Sequence, residues 1–556
     1  MDEEDFVGSV QQEEQRRLKT ISSVKNALTD RFKTRSAKVS LDVVREDSDE
    51  EGKEYDIRQE LFERTATTPY PHSEKFQRLV VAGDVDVDQD VVLACKCLDK
   101  GMELRMKWIS QFPLSSLEHS SEAIKPSYSI HHTKGPNPIS FRRRDPLEYR
   151  VFEKPLPPSC ADEFLTEMDK GVMRVIRRHH DDEVSISKKS RVFDVFSFDE
   201  FTQDFYQLRK AVYSGPVISY SYRQLEILQA KFSIHVLLNG DRETDAQKSV
   251  PHRDFYNVRK VDTHVHHSAC MNQKHLLRFI KHKLKNRPND VVIYRDDKYL
   301  TLGEVFKSLH LTAYDLSIDT LDMHAHTTFE RFDRFNLKYN PAGQSRLREI
   351  FLKTDNHIEG AYLAEITKEV ISDLEASKYQ LVEWRLSIYG RRAEEWTKLA
   401  KWFYTHRLAH PNVRWMIQVP RLYHVYKASG EINNFQDMLS NIFGPLFAIT
   451  LDASSDPALF YFLETVVGFD SVDDESRPVN FRLSDALPSP DGWDRAENPP
   501  YEYWMYYMHA NIFTLSQLRA SQGLSTFEFR PHCGEAGDLD HLLANYLLAH
   551  QINHGM

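Results

Sequence analysis

The chain has 556 residues, and its 72 Lys and Arg against 83 Asp and Glu give a formal net charge of −11. This acidic balance argues against nucleic acid as a partner, because proteins that bind polyanions carry an excess of basic residues. Hydrophobic residues make up 41% of the chain and aromatic residues 12%, which is enough for real cores, and the length suggests two or three domains. The five scattered cysteines argue against a disulfide scaffold and fit a reducing compartment.

The sequence predicts neither a membrane span nor a targeting peptide. No segment approaches the run of about 18 apolar residues that a membrane-spanning helix needs. The first residues, MDEED, are acidic, whereas signal and transit peptides carry basic residues there. We therefore expect a cytoplasmic protein that resides in the cytosol.

Composition divides the chain into three regions. Residues 1–60 are strongly charged, and we expect a disordered tail because such a segment buries little apolar surface. Residues 61–250 are predicted to form a mainly helical region, in which apolar spacing of three and four residues indicates helices over 201–212 and 222–238. Residues 251–556 are predicted to form the catalytic domain.

From about residue 258, β-rich runs alternate with helical patterns, an order typical of parallel βα units. Strands are predicted over residues 259–264, 382–389, 413–419, 466–470, 526–531 and 551–554. A (β/α)8 TIM barrel takes about 250 residues and carries its chemistry at the carboxyl ends of its strands. We therefore expect an α/β fold of the TIM-barrel type with about six strands. Since a closed barrel needs two more, we expect the chain to be incomplete at its C-terminus.

Several common catalytic motifs are missing from the sequence. It has no GxxxxGK[ST] or GxGxxG phosphate loop and no GxSxG nucleophile turn. This argues against P-loop ATPases, Rossmann dehydrogenases and serine hydrolases of the α/β type.

The first predicted barrel strand ends in an HxH motif, His264-Val265-His266. Side chains two residues apart on a strand share a face, so both imidazoles can point at one ion. Two neutral imidazoles suit Zn²⁺ or a similar metal. By itself the motif is weak, because His267 follows directly, and structural and ligand roles are about equally common for such a cluster.

A third imidazole, His532, follows the predicted strand over 526–531, and a carboxyl group, Glu535, comes three residues later. His554 lies at the end of the last predicted strand. Together these residues indicate a mononuclear metal hydrolase with three histidine ligands, Glu535 as acid and His554 as base. Cys533 could compete as a ligand or nucleophile, but we interpret it as a buried bystander because the sequence offers no clear base partner.

Long segments around these residues resemble the AMP deaminases, which belong to the adenosine deaminase branch of the amidohydrolase superfamily. The matching segments are PHRDFYNVRKVDTH at 251–264, ACMNQKHLLRFI at 269–280, KYNP at 338–341, GFDSVDDES at 468–476 and FRPHCGEAG at 529–537. The resemblance covers roughly 300 residues, and the first 200 or so residues match only weakly.

The resemblance implies hydrolysis of AMP to IMP and ammonia in purine nucleotide metabolism, on one Zn²⁺ per chain. It implies His264, His266 and His532 as ligands of the metal, Glu535 as the group that gives a proton to N1 of adenine, and His554 as the group that handles the proton of water. It further implies that His266 and Glu535 border the substrate. The implied substrate segment consists of Arg334, Phe335, Asn336, Leu337, Lys338 and Tyr339. A homo-oligomer (dimer or tetramer) and regulation by purine nucleotides are also typical of the family.

One part of the family pattern has no match in the sequence. The fourth metal ligand, an aspartate in a Ser-Thr-Asp-Asp-Pro stretch on the last strand, has no counterpart before Met556. Two alternatives therefore stay open beside a fragment of an AMP deaminase: an adenosine deaminase-type enzyme, and an inactive fragment or regulatory relative. The long insertion before Lys338 and the large N-terminal region favour the nucleotide enzyme.

Overall fold

The computed structural model describes residues 88–110, 151–178, 192–249, 258–295, 297–317, 341–377, 379–475, 483 and 487–555. The predicted tail over 1–60 lies outside these residues. The chain divides into two compact units, Met1–Lys96 with Ser214–Arg253, and Cys97–Tyr213 with Asp254–Met556. Of the first unit, the structure describes residues 88–96 and 214–249.

The described residues contain helices and strands in alternation over most of the second unit. The helices are α1 Gln89–Ile109, α2 Phe198–Val212, α3 Gly215–Lys248, α4 Gln273–Asn286, α5 Leu302–Ser308, α6 Ser345–Leu352, α7 Ala361–Ser377, α8 Glu394–Thr405, α9 Tyr423–Ala428, α10 Phe435–Leu451, α11 Pro457–Leu463, α12 Tyr501–Ser521 and α13 Leu539–Leu548. The strands are β1 Phe164–Asp169, β2 Val172–Arg177, β3 Lys260–His266, β4 Val291–Arg295, β5 Lys298–Thr301, β6 Gln380–Ser387, β7 Val413–Pro420, β8 Val466–Val472, β9 Glu528–Phe529, β10 His532–Cys533 and β11 Asn553–His554.

Both helices that the apolar spacing predicts before residue 250 are present, and both are longer than predicted. Helix α2 begins at Phe198 because the Ser197 hydroxyl accepts from the Glu200 N–H and the Glu200 carboxylate accepts from the Ser197 N–H, a capping box. Helix α3 begins at Gly215 with Pro216 in its first turn, where a proline costs no hydrogen bond.

A parallel sheet of five strands, in the order β3-β6-β7-β8-β9, organises the second unit. Strands β10 and β11 pair in parallel beyond β9. All six predicted strands from residue 258 onward occur in this arrangement, with ends that differ by a few residues. The fold is therefore of the mixed α/β class, with a parallel sheet and the crossover helices that such sheets require.

The sheet is covered by large apolar side chains. Trp384 on β6 and Trp415 on β7 are 1% and 0% exposed, and their rings meet edge to face with centroids 5.4 Å apart. Helix α12 is buried along nearly its whole length and packs against α10 and α13. The core therefore lies against the sheet, and the polar side chains described below lie at the carboxyl ends of its strands.

Two antiparallel hairpins, β1-β2 and β4-β5, lie outside the parallel sheet. No helix in the described part of the chain is both long and apolar enough to span a membrane.

Candidate metal and catalytic site

The histidines predicted as metal ligands meet at the carboxyl ends of the parallel strands. Strand β3 brings His264 and His266, and β10 brings His532 from the other end of the chain. The pairing of β3 with β6 shifts register between Asp262 and Val265, and such a bulge redirects the side chain that lies in it. One candidate nitrogen from each histidine lies within 4.8 Å of those of the other two.

The spacing of these nitrogens suits one small ion. Nε2 of His264 lies 2.9 Å from Nε2 of His532, and the ring centroids of His266 and His532 are 5.1 Å apart. Nitrogen ligands 2.0–2.1 Å from a tetrahedral zinc ion are about 3.3 Å apart, so a small adjustment of the rings is enough to place an ion between them. The three imidazoles therefore fit a single metal ion.

The pKa values of His264 and His266 favour the neutral form, in which a histidine can bind a metal. Burial, followed by the nearby His532, lowers the pKa of His264 to about 3 and the pKa of His266 to about 4. Both rings are therefore neutral at pH 7 and keep a nitrogen lone pair, which a metal ligand must have.

The predicted acid and base lie beside the three histidines. His554 Nε2 is 3.3 Å from Glu535 Oε2, and the His554 ring centroid lies 4.8 Å from that of His264. Strand pairing explains the approach, because Cys533 pairs with His554 in the β10-β11 ladder. The structure thus brings together the five residues His264, His266, His532, Glu535 and His554.

The loop that carries Glu535 is held close to the sheet by two glycines. Gly534 has φ +75°, and its N–H donates to Glu475 Oε2 at 2.8 Å. Gly537 has φ +99°, and a Cβ there would lie 2.3 Å from the Glu475 carbonyl oxygen. Both positions favour glycine, because a side chain at either one would be strained by the positive φ.

Two polar side chains that the sequence interpretation left without a role contact the metal-site histidines. Asp470 on β8 lies 2.8 Å from His532 Nδ1, and Gln418 Oε1 on β7 lies 2.6 Å from His266 Nδ1. The position of Asp470 follows from the sequence, because it ends a predicted strand in the same way as His264 and His532 do, but its contact with His532 does not. Gln418 lies inside an apolar strand and gives no comparable signal.

The remaining predicted residues fall into two groups. Arg334, Phe335, Asn336, Leu337, Lys338 and Tyr339 lie outside the described residues. Cys533 is fully buried, and burial raises the pKa of its thiol to about 12, so it remains protonated and unreactive at pH 7. This agrees with its interpretation as a bystander.

Comparison with known proteins identifies the family. The family model described as AMP deaminase matches residues 74–556. The chain belongs to the AMP deaminase family. Among curated AMP deaminases, that of Saccharomyces cerevisiae is 60% identical over 343 residues, which is 62% of this chain and 42% of the relative.

Two further AMP deaminase relatives match a larger share of the chain. A probable AMP deaminase of Oryza sativa subsp. japonica is 48% identical over 491 residues, covering 87% of this chain and 56% of the relative. AMP deaminase 3 of Mus musculus is 43% identical over 512 residues, covering 88% of this chain and 63% of the relative. The chain spans about half the length of the curated relatives it matches.

Proposed function

We propose that the chain carries the catalytic site of an AMP deaminase, which hydrolyses AMP to IMP and ammonia in purine nucleotide metabolism. The observation that carries this proposal is the convergence of His264, His266, His532, Glu535 and His554 at one edge of the parallel sheet. The family membership and the names of the relatives support the choice of substrate.

We propose one Zn²⁺ per chain, held by His264, His266 and His532. Three imidazoles form a ligand set that zinc accepts readily. When bound, zinc supplies a Lewis acid that lowers the pKa of water from 15.7 to about 7. The ring nitrogens of the three histidines converge on one point, which is what such an ion requires.

Glu535 and His554 would move the protons of the reaction. Water adds at C6 of adenine and ammonia leaves from the same carbon, so the ring must accept electrons and the water must lose a proton. Glu535 gives a proton to N1 and His554 accepts one proton of water; His554 then returns its proton to the leaving amino group, and the remaining hydroxyl proton at C6 passes to Glu535, so that both groups regain their starting states. The two side chains lie next to each other, with His554 Nε2 3.3 Å from Glu535 Oε2, so both lie on the same side of the proposed site.

Substrate contacts are assigned to His266, Glu535 and the segment Arg334, Phe335, Asn336, Leu337, Lys338 and Tyr339. A cation such as Arg334 or Lys338 suits the phosphate of AMP, and an aromatic ring such as Phe335 or Tyr339 suits its base. These assignments rest on the resemblance of the sequence to the family.

We extend the proposal to the surroundings of the site. The parallel strands form part of a (β/α)8 barrel of the amidohydrolase type, in a catalytic domain over 251–556 that follows a mainly helical region over 61–250 and a tail over 1–60. The assembly is a homo-oligomer, a dimer or a tetramer, in the cytosol, with purine nucleotides as regulators. The parallel order of β3, β6, β7, β8 and β9 supports the barrel.

The test is ammonia release from AMP and from adenosine, with zinc present. The assay uses this chain and a form that carries any coding sequence continuing beyond residue 556. We expect AMP turnover in at least one of the two forms, with a clear preference over adenosine. A preference for adenosine would favour the nucleoside enzyme, and zinc binding without turnover of either compound by both forms would favour an inactive relative.

A further inference from the structure

A row of polar side chains crosses three neighbouring strands next to the histidine cluster. Ser387 on β6 pairs with Gln418 on β7, and Gln418 pairs with Asp470 on β8. The residues one position earlier form a parallel row of Leu386, Ile417 and Phe469, all of them buried and apolar. Since side chains alternate along a strand, the polar row faces the opposite side of the sheet from the apolar row.

Each of the last two members of this polar row holds one metal-site histidine by its Nδ1. Gln418 Nε2 donates to Ser387 Oγ at 2.7 Å, which leaves Gln418 Oε1 to accept from His266 Nδ1 at 2.6 Å. The Asp470 carboxylate lies 2.8 Å from His532 Nδ1 and also accepts the His532 backbone N–H at 3.0 Å. A neutral imidazole has one N–H, so a ring that donates from Nδ1 presents the lone pair of Nε2.

We propose that Ser387, Gln418 and Asp470 act as the positioning row of the metal centre, and that Asp470 is its dominant member. Gln418 holds His266, and Asp470 holds His532, in the tautomer that aims Nε2 at the ion. The proposal rests on the metal centre proposed above. These residues are positioning residues, because they act through the histidines.

Asp470 differs from Gln418 in charge, burial and connections. Its carboxylate is fully buried and accepts from Arg385 Nε at 2.6 Å. Arg385 Nη1 donates in turn to the carbonyl of Thr263, the residue before His264, at 2.8 Å. Asp470 therefore links the strands that carry His264 and His532. Its negative charge also makes His532 a stronger electron donor, an effect that the neutral Gln418 cannot give to His266.

The test compares the zinc affinity of Asp470→Asn with that of Asp473→Asn, both measured on the 556-residue chain by competition with a chelator. Asp473 is a matched control, because it forms the same kind of ion pair, with Arg421 Nε at 2.6 Å, and contacts none of the three histidines in the described residues. We expect Asp470→Asn to bind zinc about 10- to 100-fold more weakly, while Asp473→Asn stays within about threefold of the parent chain.

The melting temperatures of the metal-free and zinc-loaded proteins separate positioning from plain structural support. A positioning role reduces the rise in melting temperature that zinc produces, because the rise depends on the affinity for the ion. If Asp470→Asn lowers both melting temperatures equally and keeps its zinc affinity, the proposal is overturned.

A second variant covers the case in which Asp470→Asn does not fold. Gln418→Leu removes the acceptor of His266 without breaking an ion pair, and we expect zinc affinity to fall by about 3- to 10-fold. An unchanged affinity would overturn the proposal. If the parent chain binds no zinc, both the proposed metal centre and the proposed positioning row are wrong. If the parent binds zinc and the Asp470 and Gln418 variants bind it equally well, only the proposal of the positioning row is wrong.

Discussion

Two adjacent histidines, His266 and His267, lie in opposite environments. His266 points into the polar cluster with His264 and His532, where ring nitrogens converge. His267 points into an aromatic pocket, with ring centroids 5.6 Å from Trp384 and 5.2 Å from Trp415, and its Nε2 lies 2.8 Å from Thr367 Oγ1. Burial lowers the pKa of His266 to about 4, with a further contribution from His532, and burial alone lowers that of His267 to about 3.

The comparison shows that a low pKa does not identify a metal ligand. Both rings are neutral at pH 7, but only His266 has other histidine nitrogens beside it. The surroundings of His267 offer one hydroxyl and several indole rings, which suits a core histidine with its hydrogen bond satisfied. In this chain, convergence of donors separates a candidate ligand from a core residue.

The largest expected effect comes from removing one histidine of the polar cluster. We expect His264→Ala to lower AMP turnover on the order of 10⁴-fold or more, because the proposed metal ion would lose one of its three ligands. The measurement is ammonia release from AMP with zinc in excess. A variant that keeps more than about a tenth of the parent turnover would show that His264 is not a ligand.

The next effect isolates proton transfer from metal binding. Glu535→Gln keeps the shape of the side chain but removes the acidic proton, and we expect AMP turnover about 10²- to 10⁴-fold lower. Zinc content, measured on the same preparation, should stay at the parent value. Loss of zinc together with activity would assign Glu535 to the metal set.

Acid should destabilise the metal-free protein through its core histidines. Burial lowers the pKa of both His267 and His509 to about 3, below the usual value of 6.5. Below pH 6.5 the unfolded chain binds protons that the folded chain does not, so the free energy of unfolding decreases as pH falls. We expect a slope of up to about 1.4 kcal/mol per pH unit for each histidine between pH 6.5 and 4, measured by urea denaturation.

Substitution of the core histidine, His267, should lower the stability of the protein and leave the proposed metal site intact. We expect His267→Leu to lower the free energy of unfolding by about 1–3 kcal/mol, because the Thr367 hydroxyl loses a buried partner. The same variant should show a shallower acid slope than the parent. An unchanged slope would mean that His267 is protonated in the folded chain as readily as in the unfolded one.

The smallest effect is expected at Cys533. Its thiol is fully buried, and Cys533→Ala should lower the free energy of unfolding by about 1 kcal/mol without affecting zinc binding. In the parent, the thiol should resist alkylation under native conditions, because burial raises its pKa to about 12. Rapid alkylation, or loss of zinc in the variant, would restore Cys533 as a candidate ligand.

The sequence predicts the strands of the sheet well because their buried runs are long and apolar, as in β7 and β8. It misses the β1-β2 hairpin, although Lys170 and Gly171, with φ +48° and +84°, form the type of two-residue turn that joins twisted strands. A glycine in such a short turn is a sequence signal that favours a hairpin. A Cβ at Gly171 would also meet Pro490 Cγ at 2.3 Å, a long-range contact that no local pattern contains.

The candidate site is predictable from the sequence only in part. His264, His266, His532, Glu535 and His554 follow from strand ends and from family motifs. The contacts of Asp470 and Gln418 depend on the register between β7 and β8, and periodicity along one strand does not reveal which residue lies opposite on the next. The structure is therefore needed to identify hydrogen bonds between side chains on neighbouring strands.

The most direct test of the account measures bound zinc in the parent chain, in His266→Ala and in His267→Leu, because these two sequence neighbours lie in different surroundings. We expect about one zinc per chain in the parent and in His267→Leu. In His266→Ala we expect the zinc affinity to be at least about 100-fold weaker. Removing a ligand should weaken binding more than the roughly 10- to 100-fold loss that follows from removing a residue that positions a ligand. Equal zinc binding by His266→Ala and the parent, or zinc lost only in folded His267→Leu, would contradict the account.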